Sequence, residues 1–352
     1  MIGEIKEKAR ILVCPLNWGL GHATRCIPLI KSFIEKKMDV TIAGEGDSLK
    51  LLKDEFPDLA CINFPSFKIK YPIHIPISLK IILLLPYYLF WIIKEHNQLK
   101  KIIKSHKIDI VISDNRYGLW NKNIYTIFIT HQLLIKMPKA LKIIEYPVHL
   151  LIKQIIKKYN KCWIPDEAGQ NNFSGDLSHK YKLPINAEFI GVLTRFNNLD
   201  KPRILSQKYE IVVVLSGPEP YRTILQKMLF DKILESKRKA IIIMGLLKKD
   251  KAQTTIKNIT LISHLPTNLF SEILSSAKYI ICRSGYSSIM DLIGLCRNAI
   301  LIPTPGQTEQ EYLAKHLQSY GLCHSVNQKE LAKKDLNNIL LVYDKALLVN
   351  FN

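Results

Sequence analysis

"ILVCPLNWGLGHATRCIPLIKSFIEKK", residues 11–37, begins as an apolar run, breaks at Gly19 and Gly21, and resumes as a longer stretch with helical character. This is a strand, a tight glycine turn and a helix whose N-terminus points at whatever occupies the turn, the opening unit of a doubly wound α/β fold. A dinucleotide fingerprint is a poor match: the third glycine of G-x-G-x-x-G falls on Thr24, and no acidic residue closes the second strand at Ala43, Glu45 lying just beyond it. A dehydrogenase is therefore disfavoured. The turn carries a histidine instead, His22, at a lip where packing gives it no reason to be.

The same alternation of short β-branched runs and longer helical stretches continues along the chain, the pattern of parallel sheets covered by helices. In the first half the strand-like runs are residues 11–16, 39–43, 60–64, 108–113, 125–130, 161–164 and 188–192. In the second they are 210–216, 240–244, 259–263, 279–283, 299–303 and 321–326. The polar stretch LTRFNNLDKPR separates the two series and reads as a linker, giving domains at 1–194 and 195–352. A last helical segment, about 327–349, could pack on its own domain or back on the first.

Composition narrows the function classes. A net charge of +20 calls for an anionic partner: nucleic acid, an anionic membrane surface or a phosphorylated ligand. The lysines are dispersed and no RNP-type or helix-turn-helix signature accompanies them, which argues against nucleic acid. The seven cysteines, Cys14, Cys26, Cys61, Cys162, Cys282, Cys296 and Cys323, include no C-x-x-C pair and read as reduced core residues rather than a zinc site. The first ten residues, MIGEIKEKAR, show no signal-peptide pattern, so a cytoplasmic chain is expected.

One stretch interrupts the alternation. Between Lys80 and Lys94, within LKIILLLPYYLFWII (79–93), 13 residues carry no charge. As a helix they span about 20 Å, short of a membrane's hydrocarbon core, and Pro86 is expected to kink them. Two readings stay open: a buried helix, or an interfacial segment with Tyr87, Tyr88 and Trp91 at headgroup depth and Lys70, Lys80, Lys94, Lys100 and Lys101 facing anionic lipid.

Chemistry-bearing residues gather at strand ends. His22 is placed to take a proton from a substrate hydroxyl. Asp114 follows the strand IDIVIS and emerges at the same sheet edge, either to orient His22 or to cap the loop DNRYG, which also holds Asn115 and Arg116. His131, after YTIFIT, opens on that edge too, for acceptor contact or proton transfer. In CRSGYSSIMDLIGLCRNAILIPTPGQTEQEYLA (282–314), two strand-to-helix turns follow in series. The first offers Arg283, Ser284, Gly285 and Ser288 for a diphosphate, with Asp291 a turn further in for ribose hydroxyls. The second offers Gln307, Glu309, Gln310 and Glu311 for sugar hydroxyls.

With these residues in view, the chain resembles glycosyltransferase family 28, the MurG-like enzymes, over nearly its whole length, and its second half is similar to the donor domain of UDP-glucuronosyltransferases. The resemblance implies the GT-B fold, two Rossmann-like domains facing a central cleft, with an acceptor domain first and a nucleotide-sugar domain second. It implies that Gly19, Gly21 and His22 match the family's glycine loop and catalytic base, with Thr24, Asn115, Arg116 and His131 beside the acceptor. It places Arg195 near the diphosphate, His264 and Leu265 near the base, Arg283, Ser284, Gly285 and Ser288 in the phosphate turn, Asp291 on the ribose, and Gln310 and Glu311 on the hexose. Two departures stand out: glutamate replaces the second glutamine of that pair, and the donor domain's first loop, SGPEPYR from Ser216 and Gly217 to Arg222, has prolines where amide donors are expected.

The implied function is an inverting, metal-independent transferase needing no cofactor. It would move a hexose or N-acetylhexosamine from a UDP-linked sugar to a hydroxyl of a lipid-linked or glycan acceptor at the inner membrane face. Two alternatives remain: a non-hydrolysing UDP-sugar 2-epimerase, which needs no acceptor, and a non-catalytic protein binding a sugar nucleotide or glycolipid.

Overall fold

A computed structural model of the chain describes residues 8–67, 85–196, 208–247 and 253–349. Lys70, Lys80 and the first part of the 79–93 segment lie outside them, as does most of the expected linker. By internal packing the chain divides into two units, Met1–Arg195 and Phe196–Asn352.

In the first unit, β1 (Arg10–Pro15), β2 (Asp39–Gly44), β3 (Ala60–Asn63), β4 (Ile110–Asp114), β5 (Tyr125–Ile129), β6 (Lys161–Ile164) and β7 (Ala187–Phe189) form one sheet ordered β3-β2-β1-β4-β5-β6-β7. Every pairing is parallel. All five residues of β4 are buried, as a strand covered on both faces requires. Helices α1 (Gly21–Glu35), α2 (Gly46–Glu55), α3 (Leu85–His106), α4 (Glu145–Ile156) and the single turn α5 (Asp176–His179) lie between the strands, with a 3-10 turn at Lys139–Ile144. Because the chain moves outward from β1 to β3 and then returns to β4, the strand order reverses between β1 and β4, where such sheets bind ligands.

Pro86, expected to kink this segment, is the second residue of α3 as described, where a missing amide is tolerated; the residues before Leu85 lie outside the described ones. The helix is two-sided: Tyr88 and Ile92 pack on the cluster of Phe128, Ile152 and Ile156, whereas Tyr87, Leu89, Phe90 and Ile93 are exposed.

The second unit repeats the plan. Its strands β8 (Ile211–Val214), β9 (Ala240–Ile243), β10 (Gln253–Ile256), β11 (Ile259–Ile262), β12 (Tyr279–Cys282), β13 (Ala299–Leu301) and β14 (Cys323–Ser325) are ordered β10-β11-β9-β8-β12-β13-β14. The order now reverses between β8 and β12. Helices α6 (Tyr221–Ser236), α7 (Thr267–Ser276), α8 (Tyr286–Gly294), α9 (Thr308–Ser319), α10 (Gln328–Lys333) and α11 (Leu336–Val349) connect and follow them. The polar strand β10 was not expected from the sequence; it runs antiparallel to β11 at the sheet edge with all four residues exposed. Of the two placements open to the last helix, α11 takes its own unit: Leu336, Ile339, Leu340 and Tyr343 are buried against Ile211, Tyr279 and Ile300.

Candidate active site

The glycine turn is held by its surroundings. Gly19 has φ +87°, in the left-handed region that only glycine enters cheaply. Gly46 has φ +57°, and a Cβ there would lie 2.7 Å from Asn17 Nδ2, so a larger residue at the start of α2 would have to displace that side chain from the turn. Asn17 Oδ1 accepts from the Ser48 amide at 3.4 Å, and the Ser48 hydroxyl donates to the Gly19 carbonyl at 3.3 Å. The Leu16 amide donates to the Asp114 carbonyl at 3.0 Å, tying the ends of β1 and β4 together at the point of strand reversal. His22 is thus delivered as the second residue of α1, beside Asp114.

His22 Nδ1 lies 3.0 Å from Asp114 Oδ1; the imidazole side chain is 16% exposed and the carboxylate fully buried. One turn along α1, the buried Arg25 donates from Nε to Asp114 Oδ2 at 2.7 Å and from Nη2 to Oδ1. Nη2 also lies 2.9 Å from His22 Nδ1, and Nη1 lies 3.1 Å from His131 Nδ1. Burial works against ionisation of Asp114, but the Arg25 guanidinium and His22 outweigh it and hold the carboxyl well below the usual range. Cys26, whose thiol approaches Asp114 Oδ2 at 3.7 Å, is pushed far up by burial and then by that carboxylate, so it is no nucleophile. A carboxylate accepting from Nδ1–H leaves Nε2 with the lone pair that a general base needs.

Other residues expected beside the acceptor have different work. Arg116 is a correction: its side chain is buried, bonded to Glu95 Oε1 from Nη2 at 3.1 Å and from Nε at 3.2 Å, and donating to the carbonyls of Phe64 at 3.2 Å and Pro65 at 2.9 Å. With its guanidinium also 4.1 Å from the Phe64 ring centroid, it fastens α3 to the segment after β3. Burial raises the Glu95 carboxyl, against the pull of Arg116. The Thr24 hydroxyl turns back to the Gly21 carbonyl at 3.0 Å within α1. Asn115, at φ +57°, accepts from the Thr130 hydroxyl at 3.3 Å and joins the loops after β4 and β5.

In the second unit the expected donor-site segments follow neighbouring strands: Ser216 and Gly217 after β8, His264 and Leu265 after β11, Arg283 to Gly285 after β12, and Gln310 and Glu311 on α9 after β13. The sheet order therefore brings these loops to one edge. Their side chains divide. Arg283 is fully buried, donating from Nη1 to the carbonyls of Ile302 (3.1 Å) and Pro303 (3.0 Å) and to Gln328 Oε1 (3.1 Å), and from Nη2 to the Tyr221 carbonyl (2.9 Å). These bonds clamp neighbouring loops together, and burial lowers the arginine's pKa to about 10. Ser284, also buried, donates to the Gln310 carbonyl at 2.8 Å. Gln310 Oε1 accepts from the Thr304 amide at 2.9 Å, and Glu311 Oε1 from the Gly306 amide at 3.0 Å, so both shape the turn after β13. Leu265 is buried; Ser288 sits half-buried in the first turn of α8, with Asp291 buried on the next. Arg195 ends the first unit, half-exposed.

The SGPEPYR loop shows what its prolines do not. Glu219 accepts from Arg222 Nε (3.1 Å) and Nη2 (2.6 Å) and from the Thr223 amide (3.3 Å) and hydroxyl (2.8 Å), so it caps the start of α6 itself. Burial opposes its ionisation, and the bonds from Arg222 and Thr223 together more than compensate, leaving its pKa lowered. A carboxylate already occupies that helix N-terminus. By contrast α8 starts from Gly285, which has no side chain to cap it, and has no acid in its first turn.

Sequence reasoning passed over Arg25 and Glu219. The signal for Arg25 was a lone charge three residues after His22 in an otherwise apolar helix start, a spacing that puts both on one face. For Glu219 it was an acid just ahead of a helix. Among the described residues, no group of three or more His, Cys, Asp or Glu side chains is placed to hold a metal ion, and no helix is long and apolar enough to cross a membrane.

Residues 211–348 match the glycosyltransferase family 28 C-terminal domain. The UDP-N-acetylglucosamine–N-acetylmuramyl-(pentapeptide) pyrophosphoryl-undecaprenol N-acetylglucosamine transferase of Caldicellulosiruptor saccharolyticus is 34% identical over 99 residues, 27% of this chain and 25% of that protein. The chain thus spans about a quarter of the length of such curated relatives. An uncharacterised glycosyltransferase of Methanosarcina acetivorans is 23% identical over 89% of this chain and 84% of its own. Among solved structures, the glycosyltransferase of kitacinnamycin superposes with TM-score 0.61 at 12% identity, covering 98% of this chain and 96% of that one. MurG of Acinetobacter baumannii gives 0.56 at 14%, covering 98% and 95%. A protein described as a UDP-N-acetylglucosamine 2-epimerase, from Listeria monocytogenes, gives 0.60 at 12%, covering 97% and 90%. These likenesses establish the fold as GT-B, as the family resemblance implied.

Proposed function

We propose, from a chain of GT-B fold whose second unit matches the family 28 C-terminal domain, an inverting glycosyltransferase. It moves a hexose or N-acetylhexosamine from a UDP-linked sugar to a hydroxyl of a lipid-linked acceptor at a membrane face. The observation that carries the reading is the 3.0 Å contact of His22 Nδ1 with Asp114 Oδ1 at the reversal point of the first sheet.

In this reading His22 Nε2 takes the acceptor proton as the hydroxyl oxygen attacks the anomeric carbon in line, and the imidazolium is stabilised through Nδ1–H by Asp114. One displacement inverts the anomer. The bond to the diphosphate breaks, and the charge on the departing UDP is met by the N-terminus of α8, with Ser288 in its first turn and Asp291 on the ribose hydroxyls. The α6 N-terminus, occupied by Glu219, contributes little, and the step requires no metal or cofactor. The exposed Tyr87, Leu89, Phe90 and Ile93 of α3, with Lys94 stacked 4.3 Å over Trp91, support contact with an anionic lipid surface and hence a lipid-borne acceptor.

The test pairs binding with turnover. UDP at about 100 times its dissociation constant should stabilise the protein by about 2.7 kcal/mol in a thermal melt, and Asp291→Ala should abolish the shift. UDP release from UDP-sugars should require a lipid acceptor fraction and fall by about 10²–10⁴-fold in His22→Ala. Release of a free 2-epimer without acceptor would make the protein an epimerase. UDP binding with a His22→Ala rate equal to wild type would make it a binding protein.

A further inference from the structure

The starts of α6 and α8 lie side by side in the second unit. The strands before them, β8 and β12, are neighbours at the reversal point, and Arg283 Nη2 donates at 2.9 Å to the carbonyl of Tyr221, the first residue of α6. Two adjoining helix starts are suited to the two phosphates of a diphosphate. Here they differ. Ahead of α8 stands Gly285, where even an added Cβ would meet nothing within 4 Å, and the first turn holds no acid. Ahead of α6 stands Glu219, with its carboxylate on the helix start. From this asymmetry we infer that Glu219 is a specificity-determining residue of the donor site: it competes with the donor's diphosphate for the hydrogen-bond donors at the start of α6, so the diphosphate is gripped at one helix start and not at two. The inference deepens the transferase reading and rests on it.

The competition is first for hydrogen bonds. Glu219 takes four donors: Arg222 Nε at 3.1 Å and Nη2 at 2.6 Å, the Thr223 amide at 3.3 Å and the Thr223 hydroxyl at 2.8 Å. A guanidinium edge, a helix-start N–H and a hydroxyl are the groups with which proteins hold phosphate oxygens. The chain has filled that set with an anion of its own. The rest of the loop offers no replacement, because Pro218 and Pro220 have no N–H and the Arg222 amide donates to the Pro218 carbonyl at 3.2 Å. The remaining arm of Arg222, Nη1, reaches the Gly245 carbonyl at 3.3 Å and so holds the guanidinium across the ends of β8 and β9.

The competition is also one of charge. Glu219 has a lowered pKa, is ionised at neutral pH and meets a diphosphate as a like charge. Its side chain is 50% exposed and that of Arg222 17%, so an arriving ligand encounters the acid directly, and water screens part of the repulsion. The effect is therefore a graded weakening and not an exclusion. It also has a use in turnover. A grip at α6 would hold the donor and the released UDP alike, and binding shared in that way lowers KM without speeding the chemical step. Keeping this helix start occupied lets the spent nucleotide leave.

The experiment is calorimetric titration of the full chain with UDP and with uridine, in wild type, Glu219→Ala, Glu219→Gln and the double variant Glu219→Ala with Arg222→Ala, each also melted without ligand. Glu219→Ala should bind UDP about tenfold more tightly than wild type and uridine equally well, even though the lost cap lowers its melting temperature. Glu219→Gln, which loses the charge and keeps an acceptor oxygen, should gain less. The double variant should forfeit most of the gain, because the freed guanidinium is gone. A carboxylate serving only as a helix cap gives the opposite pattern, lower stability with UDP affinity unchanged or weaker. If Glu219→Ala fails to fold, the Gln variant still decides. UDP affinity unchanged or reduced on loss of the acid, or a gain matched by uridine, overturns the inference and leaves the transferase reading standing. Wild type that binds neither ligand removes the donor site itself, and the inference with it.

Discussion

Replacing Asp114 by asparagine removes one charge from a buried pair and leaves the other. Arg25 is 1% exposed and its guanidinium is bonded to both oxygens of a carboxylate that is itself fully buried. Breaking such a pair from one side costs about 3–5 kcal/mol, because the remaining ion stays out of water and loses its two-pronged carboxylate partner. The unit that holds it ends at residue 195, a size at which each kcal/mol moves the melting temperature by about 2–4 °C. The first unit of Asp114→Asn should therefore melt roughly 6–20 °C lower by calorimetry. The double variant Asp114→Asn with Arg25→Met removes the stranded cation as well, so its loss should fall short of the sum of the single losses by about 2 kcal/mol. A single-variant cost below about 1 kcal/mol, or strict additivity in the double, would refute the view of the pair as mutually dependent buried charges.

The same carboxylate sets an acid limit. Its pKa is lowered in the fold, so its contribution is present in full above the ordinary carboxylate range and is lost as pH falls through about 4 and below; denaturant midpoints of wild type should drop over that window and those of Asp114→Asn should drop less. Thiol labelling at pH 8 gives an independent check of burial. Cys296 is exposed and should react fast and Cys61, half-buried, more slowly, whereas Cys14, Cys282 and Cys323, pushed up to about 12 by burial, should react with the equally buried Cys26 and Cys162 only after unfolding.

Much of the fold was legible because parallel strands are buried on both faces and so read as short unbroken apolar runs: IVVV, AIII and YIIC each became a strand within two residues of the expected limits. Gln253–Ile256 escaped because an exposed edge strand needs no apolar face, and QTTI has almost none. Position along the chain identified the sheet edge where His22 and Asp114 meet, since strand ends in such folds converge there. It could not tell which way a long side chain turns. Arg116 and Arg283 follow strand ends as ligand-binding arginines do, yet both fold inwards onto backbone carbonyls. Arg25 lies in helical sequence and meets a partner 89 residues away, a contact that no local pattern encodes.

The antiparallel strand at the rim of the second sheet has a consequence for how copies of this protein meet one another. Without it β11, with Ile259 and Leu261, would end the sheet and offer a ladder of unsatisfied amides and carbonyls on an apolar strand, an invitation to pairing between molecules. The hairpin covers that ladder with Gln253, Thr254 and Thr255, and Asn258 at its bend donates to the carbonyls of Ile233 and Arg238, pinning it to the end of α6. The opposite rim is only three residues long, Cys323–Ser325. The sheet is thus closed to growth at one side by a polar hem and at the other by brevity, a guard against fibrous self-association that takes nothing from the loops at the ends of the central strands.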